Sequence, residues 1–172
     1  MGMLLLVAGH ETTANMIALG TLALLRHPGQ LAAVRDADDP ASTAGAVEEL
    51  LRYLSIVHSG RRRVALADIE VQGQVIRAGE GVILANDAAN RDEEMFPDAD
   101  RLDVHRDARR HLAFGFGVHQ CLGQPLARVE LQVAYGTLCR RIPDLRLAVD
   151  LEEVPFKHDG LIYGVYELPV TW

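Results

Sequence analysis

Residues 3–26 hold few helix breakers and many Ala and Leu, and the pattern predicts one long helix. Pro28 ends it, since proline restricts the residue before it and resists helix continuation. A short helix is expected over 29–37, and Ala37-Asp38-Asp39-Pro40 reads as a turn. Over 42–54, Val47, Leu50, Leu51 and Leu54 are spaced to bury one face of another helix. The period then changes. From Arg61 to Leu84, apolar and polar positions alternate around Gly73 and Gly79, which predicts short antiparallel strands with tight turns. Residues 84–91 read as a helical turn, and 92–111, rich in Asp, Arg and Pro, as a long loop of the kind that is usually functional or disordered. Gln124 to Arg141 is a strong helix with Leu126, Val129, Leu131, Val133, Ala134 and Leu138 apolar, and Pro143 stops it. The tail, 145–172, reads as strands. The fold class expected is mainly α with small antiparallel β-sheets.

Composition narrows the class. The chain has 172 residues, a little above the usual size of one domain. Apolar residues make up 49%, enough for a sizeable core, and charged residues 24%, ordinary for a soluble globular chain. A formal net charge of −7 sets nucleic-acid binders low. Cys121 and Cys139 fit neither a zinc pattern nor a CxxC motif. So few cysteines point to a reducing compartment, and a cytoplasmic location is expected. The opening apolar run ends at His10 and Glu11, too short for a membrane span, and no basic segment precedes it as in a signal peptide. Leu6 stands where myristoylation wants Ser or Thr.

Phe114-Gly115-Phe116-Gly117-Val118-His119-Gln120-Cys121-Leu122-Gly123 is the most informative segment. It sets a cysteine just before a helix, whose N-terminus offers unpaired N–H groups and partial positive charge that suit a thiolate. Glycines flank it, where the backbone turns sharply or approaches something large and flat. One thiolate does not build a zinc site, but it suits a haem iron. The bland alternative, a buried inert cysteine in a Gly-rich turn, is the commoner case for a lone cysteine.

The whole pattern, FGxGxHxCxG, resembles the haem-binding signature of cytochromes P450 at every fixed position. Further motifs follow the family's order. Ala8-Gly9-His10-Glu11-Thr12-Thr13 is similar to its acid–alcohol pair on a distal helix. The resemblance gives Glu11 and Thr12 proton delivery and dioxygen binding as catalytic roles; alternatively, such threonines bond their own helix carbonyls. Glu49-Leu50-Leu51-Arg52 is similar to the ExxR motif, whose two charges share a helix face. Glu48 offers Arg52 a rival partner at i,i+4, and the family's spacing favours Glu49. Arg101 would complete a structural triad with Glu49 and Arg52.

The resemblance implies haem b with Cys121 as ligand to the iron. It places Phe114, Gly115, Gly123, Ala8 and Gly9 against the cofactor. It gives the haem propionates to His119 and to Arg63, with Arg61 and Arg62 as neighbouring choices. His10 is read as a pocket or core residue, His111 as loop support, and Ile56, Val57 and His58 as pocket lining. The activity implied is a monooxygenase reaction on a small apolar substrate with O2. Electrons would come from outside, with a ferredoxin-type donor docking on Arg106, Arg109, Arg110 and Arg128; a plain solvated charged face is an equal alternative. The likeness runs over essentially all 172 residues, including the Leu168-Pro169-Val170-Thr171-Trp172 ending, and is greatest to soluble bacterial members. Family members are longer, so residues 1–172 are expected to be the C-terminal part of a cytochrome P450 domain, beginning within the distal helix. An inactive remnant, or half of a split protein, is the alternative.

Overall fold

A computed structural model describes residues 1–58 and 60–172. Its elements are α1 (Gly2–Arg26), α2 (Pro28–Arg35), α3 (Pro40–Leu54), β1 (Arg61–Val64), β2 (Ile69–Val71), β3 (Gln74–Ile76), β4 (Gly81–Leu84), the single-turn α4 (Asn86–Ala89), α5 (Gln124–Arg141), β5 (Arg146–Leu147) and β6 (Val170–Thr171). The chain is mainly helical with small antiparallel sheets, as the pattern predicts. Proline opens both α2 and α3, at a position where its missing N–H costs nothing. Asp39 caps α3 by accepting the Ser42 amide at 3.0 Å.

The helices α1, α2 and α3 all pack on α5. Their shared core holds Leu19, Leu24, Val34, Val47, Leu50, Leu131 and Tyr135. Tyr135 is buried on α5 and donates its hydroxyl to the Met16 carbonyl of α1. Gly20 lies beneath that ring, and a Cβ there would overlap the hydroxyl. The buried face of α5 is Leu131, Tyr135 and Cys139, a single stripe at i, i+4, i+8. Leu126, Val129 and Val133, also apolar, are exposed. So are Met3, Leu4, Leu5, Leu6 and Val7 on the first turns of α1, which becomes buried only from Asn15.

β1 pairs with β4, with Arg61 opposite Leu84, and β2 pairs with β3, with Val71 opposite Gln74. Gln72 and Gly73 both have positive φ, 47° and 79°, the conformation a two-residue hairpin with the right twist requires. The tail differs from its strand reading. Its regular structure among the described residues is β5 pairing β6, a 3-10 turn over Leu151–Glu153 and an isolated bridge from Phe156 to Val165. Pro155, Gly160, Gly164 and Pro169 interrupt the alternating pattern, and turns fill the rest.

Candidate functional site

A cavity of about 260 Å³ opens between α1, the end of α3, β1 and the cysteine loop. Ala8, Thr12, Thr13 and Met16 of α1 line one side, and Phe114, Cys121, Ala127 and Leu131 the other. Leu51, Ile56, Val57 and Arg61 complete the walls. The two motifs furthest apart in the sequence are thus brought to one space, because α1 and α5 cross over the Tyr135 contact.

Cys121 is a free thiol and exposed, which removes the buried, inert reading. Its amide donates to the Phe114 carbonyl at 2.9 Å, closing the loop on itself. Gly115 and Gly117 have φ of 72° and 80°, in the left-handed region that favours glycine. A Cβ on Gly115 would also meet the Arg61 guanidinium at 2.8 Å. Gly123 precedes α5, and the space a Cβ would take there lies 4.0 Å from the Cys121 sulfur.

On α1, the Thr12 hydroxyl donates to the Ala8 carbonyl at 2.7 Å, the local bond that a helical threonine often makes. Thr12 still lines the cavity, and its oxygen keeps lone pairs to accept. Glu11 turns elsewhere. Its carboxylate accepts from Lys157 at 2.8 Å and Asn15 at 3.0 Å. The hydrogen bonds from Lys157 and Asn15, in that order, hold its carboxyl below the usual range. Gly9 and His10 are exposed and lie outside the lining of this cavity, so His10 is not a core residue. It lies on the uncovered turns of α1.

Three further expected residues lie outside the lining of this cavity. Arg63 is exposed and donates to the Arg62 carbonyl at 2.8 Å; the arginine lining the cavity is Arg61, two residues earlier on the same strand face. The Arg61 Nε is buried without a hydrogen-bond partner among the described residues. His119 lies exposed on a short 3-10 turn, outside the cavity lining. His58 stacks on Tyr163 at 4.8 Å instead of joining Ile56 and Val57 in the lining.

Beneath the cavity, Glu49 and Arg52 are completely buried. Arg52 donates Nε to Glu49 at 2.7 Å and Nη2 to its other oxygen at 2.8 Å. Its remaining N–H groups reach the carbonyls of Asn90 and Ala99 at 2.8 Å and of Arg101 at 3.4 Å. All five donors are used. The third charge is Arg106, whose Nε lies 3.3 Å from Glu49, and not Arg101, whose side chain is exposed and pairs with Asp103. Arg101 supplies only its carbonyl. Both arginines sit in one Asp- and Arg-rich stretch without periodicity, so spacing alone does not separate them. Arg128 is likewise engaged, donating to Glu48 at 2.7 Å. Asn90 carried no sequence signal, yet it is fully buried, donating to the Ser55 hydroxyl and accepting the Leu112 amide.

Comparison with known proteins agrees with this geometry. The family model described as Cytochrome P450 matches residues 42–143, from the start of α3 to the end of α5. The chain is 66% identical to cytochrome P450 GfsF of Streptomyces halstedii, over 99% of its length. It is 59% identical to vitamin D3 dihydroxylase of Streptomyces griseolus, again over 99%. It spans 42% and 41% of those two relatives. The crystal structure of GfsF matches with a TM-score of 0.96 at 65% identity, covering 99% of this chain and 44% of that one. For MoxA from Nonomuraea recticatena the TM-score is 0.93 at 60% identity, covering 98% and 41%. With a cysteine loop, an ExxR pair and a threonine-bearing helix around one cavity, and with relatives this similar along its whole length, the chain belongs to the cytochrome P450 family.

Proposed function

We propose that residues 1–172 are the haem-carrying C-terminal part of a cytochrome P450 domain, which inserts one oxygen atom of O2 into a small apolar substrate. The observation that carries this reading is the facing of Cys121 and Thr12 across one cavity. Proteins of this family carry haem b, and the residues present suit it. One thiolate stands on one side, small Ala8 and Thr12 on the other, and apolar side chains between. Arg61 adds a buried N–H with no partner among the described residues, an unmet demand that a propionate would satisfy. Arg61 therefore joins Arg63 as a propionate arginine in this reading.

When bound, the haem supplies the electron transfer and oxygen activation that no side chain here offers. The chain's own residues do the rest. Cys121 holds the cofactor from the loop side, with its amide tied to Phe114. Thr12 Oγ would release the Ala8 carbonyl to donate its proton into the cavity. Glu11, once free of Lys157, would take a proton from solvent water and pass it to Thr12, returning to the carboxylate. Leu51, Ile56, Val57 and Leu131 keep the walls apolar and favour an apolar substrate. Electrons come from a ferredoxin-type partner. The side chains of Arg106 and Arg128 are largely covered in their pairs with Glu49 and Glu48, so the exposed docking charges reduce to Arg109, itself paired with Asp107, and Arg110.

A second reading is that the chain works only together with further polypeptide over α1. It is favoured by the exposed Leu4, Leu6 and Val7, at 66%, 71% and 56%. One experiment separates the readings. Haem-loaded chain is supplied with a ferredoxin system, isotope-labelled O2 and a panel of apolar substrates. Label in one oxygen of a product supports the first reading. Haem bound through Cys121 without labelled product refutes activity of this chain alone.

A further inference from the structure

Glu48 and Glu49 stand side by side on α3 but face different partners. Glu49 serves Arg52, while Glu48 faces α5 and the segment before the cysteine loop. Glu48 is 8% exposed and His111 is 7% exposed, so both are charge-bearing or polar groups taken from water. Arg128 grips Glu48 with two N–H groups, Nε to Oε1 at 2.7 Å and Nη2 to Oε2 at 3.0 Å. Its Nη1 donates to Gln124 at 2.7 Å, and its guanidinium lies 4.7 Å from the centre of the Phe114 ring. His111 completes the cluster. Its Nδ1 accepts the Ala113 amide at 3.1 Å, so the ring proton sits on Nε2 and is donated to Glu48 at 3.1 Å.

We infer that Glu48, His111 and Arg128 are positioning residues that clamp the cysteine loop to α3. Both sides of the clamp end on Phe114: Arg128 covers its ring, and His111 fixes the Ala113 amide next to it. The Phe114 carbonyl in turn accepts the Cys121 amide. None of the three clamp residues lines the cavity, so they act on the thiolate only through the loop. A buried ion pair gives little stability over a well-packed apolar replacement. What this one supplies is a fixed direction: the planar fork of Arg128 meets the carboxylate in one orientation only. Nothing in the ExxR cluster does this, because its arginines bond residues 90–106. The two neighbouring glutamates thus divide the proximal structure, one holding the long loop and the other the ligand loop.

The inference rests on the proposed role of Cys121, and the test separates the two. Hydrogen exchange is followed over residues 111–123 in the full chain, with no haem needed. Arg128→Lys keeps the charge and removes the fork. Glu48→Gln keeps the shape and removes the charge, and serves if Arg128→Lys does not fold. Tyr135→Phe, on the same helix but bonded to α1, is the control. The clamp predicts that either variant speeds exchange at 111–123 by about 10-fold or more, a local opening that leaves α1 and α2 protected. It further predicts haem release about 10-fold faster, the usual scale for groups that orient a metal ligand. Tyr135→Phe changes neither. Exchange at 111–123 that stays unchanged, or rises evenly across all helices, overturns the clamp. If the unmodified chain fails to hold haem through Cys121, the functional reading falls while the exchange result still decides the clamp.

Discussion

Arg52→Lys is the substitution whose cost the structure specifies most fully. Arg52 is completely buried, and its five N–H groups meet two oxygens of Glu49 and three backbone carbonyls. Lysine keeps the charge but has three donors at one point. It can satisfy Glu49 and the Asn90 carbonyl, leaving the carbonyls of Ala99 and Arg101 with only their longer bonds from Arg91 and Arg106, at 3.2 and 3.3 Å. A hydrogen bond from a charged donor contributes about 1.5–3 kcal/mol. Two are lost, so a loss of roughly 3–5 kcal/mol is expected. That is a large part of the 5–15 kcal/mol typical of a folded domain. In a chain of this size it lowers the melting temperature by roughly 6–20 °C. Urea unfolding followed by circular dichroism measures it directly. A loss below about 1 kcal/mol would refute the reasoning, because it would mean that the two carbonyls left by lysine lose their donor at no cost.

Other outcomes follow from the same contacts. Arg106→Ala should destabilise by about 1–3 kcal/mol, since it removes one of the donors to a buried Glu49 oxygen together with the bonds to the Pro97, Asp98 and Arg101 carbonyls, whereas Arg101→Ala should stay within about 0.5 kcal/mol as an exposed pair; paired urea titrations decide between them. For Glu48, burial pushes the carboxyl up, but the bonds from His111 and Arg128 outweigh it and hold it at about 2, against 4.5 unperturbed. Its stabilisation, about 3 kcal/mol, is fully present above pH 4.5 and is lost as pH falls towards 2; Glu48→Gln should flatten the stability profile across that window. Gly20→Ala should cost about 1–3 kcal/mol in thermal unfolding, because its Cβ would overlap the buried Tyr135 hydroxyl. Replacing both Arg109 and Arg110 by Glu should slow reduction by a ferredoxin donor without changing the unfolding midpoint, and unchanged reduction kinetics would remove those residues from the docking surface.

The helices were legible in the sequence because each carries its own boundary: Pro28, Pro40 and Pro143 bracket long apolar runs, and α5 spans Gln124–Arg141 as its pattern predicts. The tail was not, because alternation over 145–172 is cut by prolines and glycines whose effect depends on local packing. The cysteine loop and the ExxR pair were legible as local spacings. What spacing does not carry is direction across the fold. Arg61 and Arg63 share a strand face, and it is Arg61 that lines the cavity, with its guanidinium against Gly115. Arg106 and Arg101 lie in one aperiodic loop, and the turn at 98–103 decides which guanidinium reaches Glu49. Lys157 sits 146 residues from its partner Glu11, with no local pattern to link them. Of the apolar positions on α5, Leu131 is buried but Leu126, Val129 and Val133 are exposed, and Tyr135 and Cys139 complete the buried stripe, since apolar residues scattered around a helix do not reveal which face is covered.

The central claim is that this chain builds a haem–thiolate site on Cys121. The most direct measurement is the reduced, carbon-monoxide difference spectrum of the chain supplied with haem, recorded beside Cys121→Ser. The account predicts a red-shifted Soret band of the thiolate-ligated kind, lost in Cys121→Ser while the fold is retained by circular dichroism. Absence of that band, or its survival in Cys121→Ser, would contradict it.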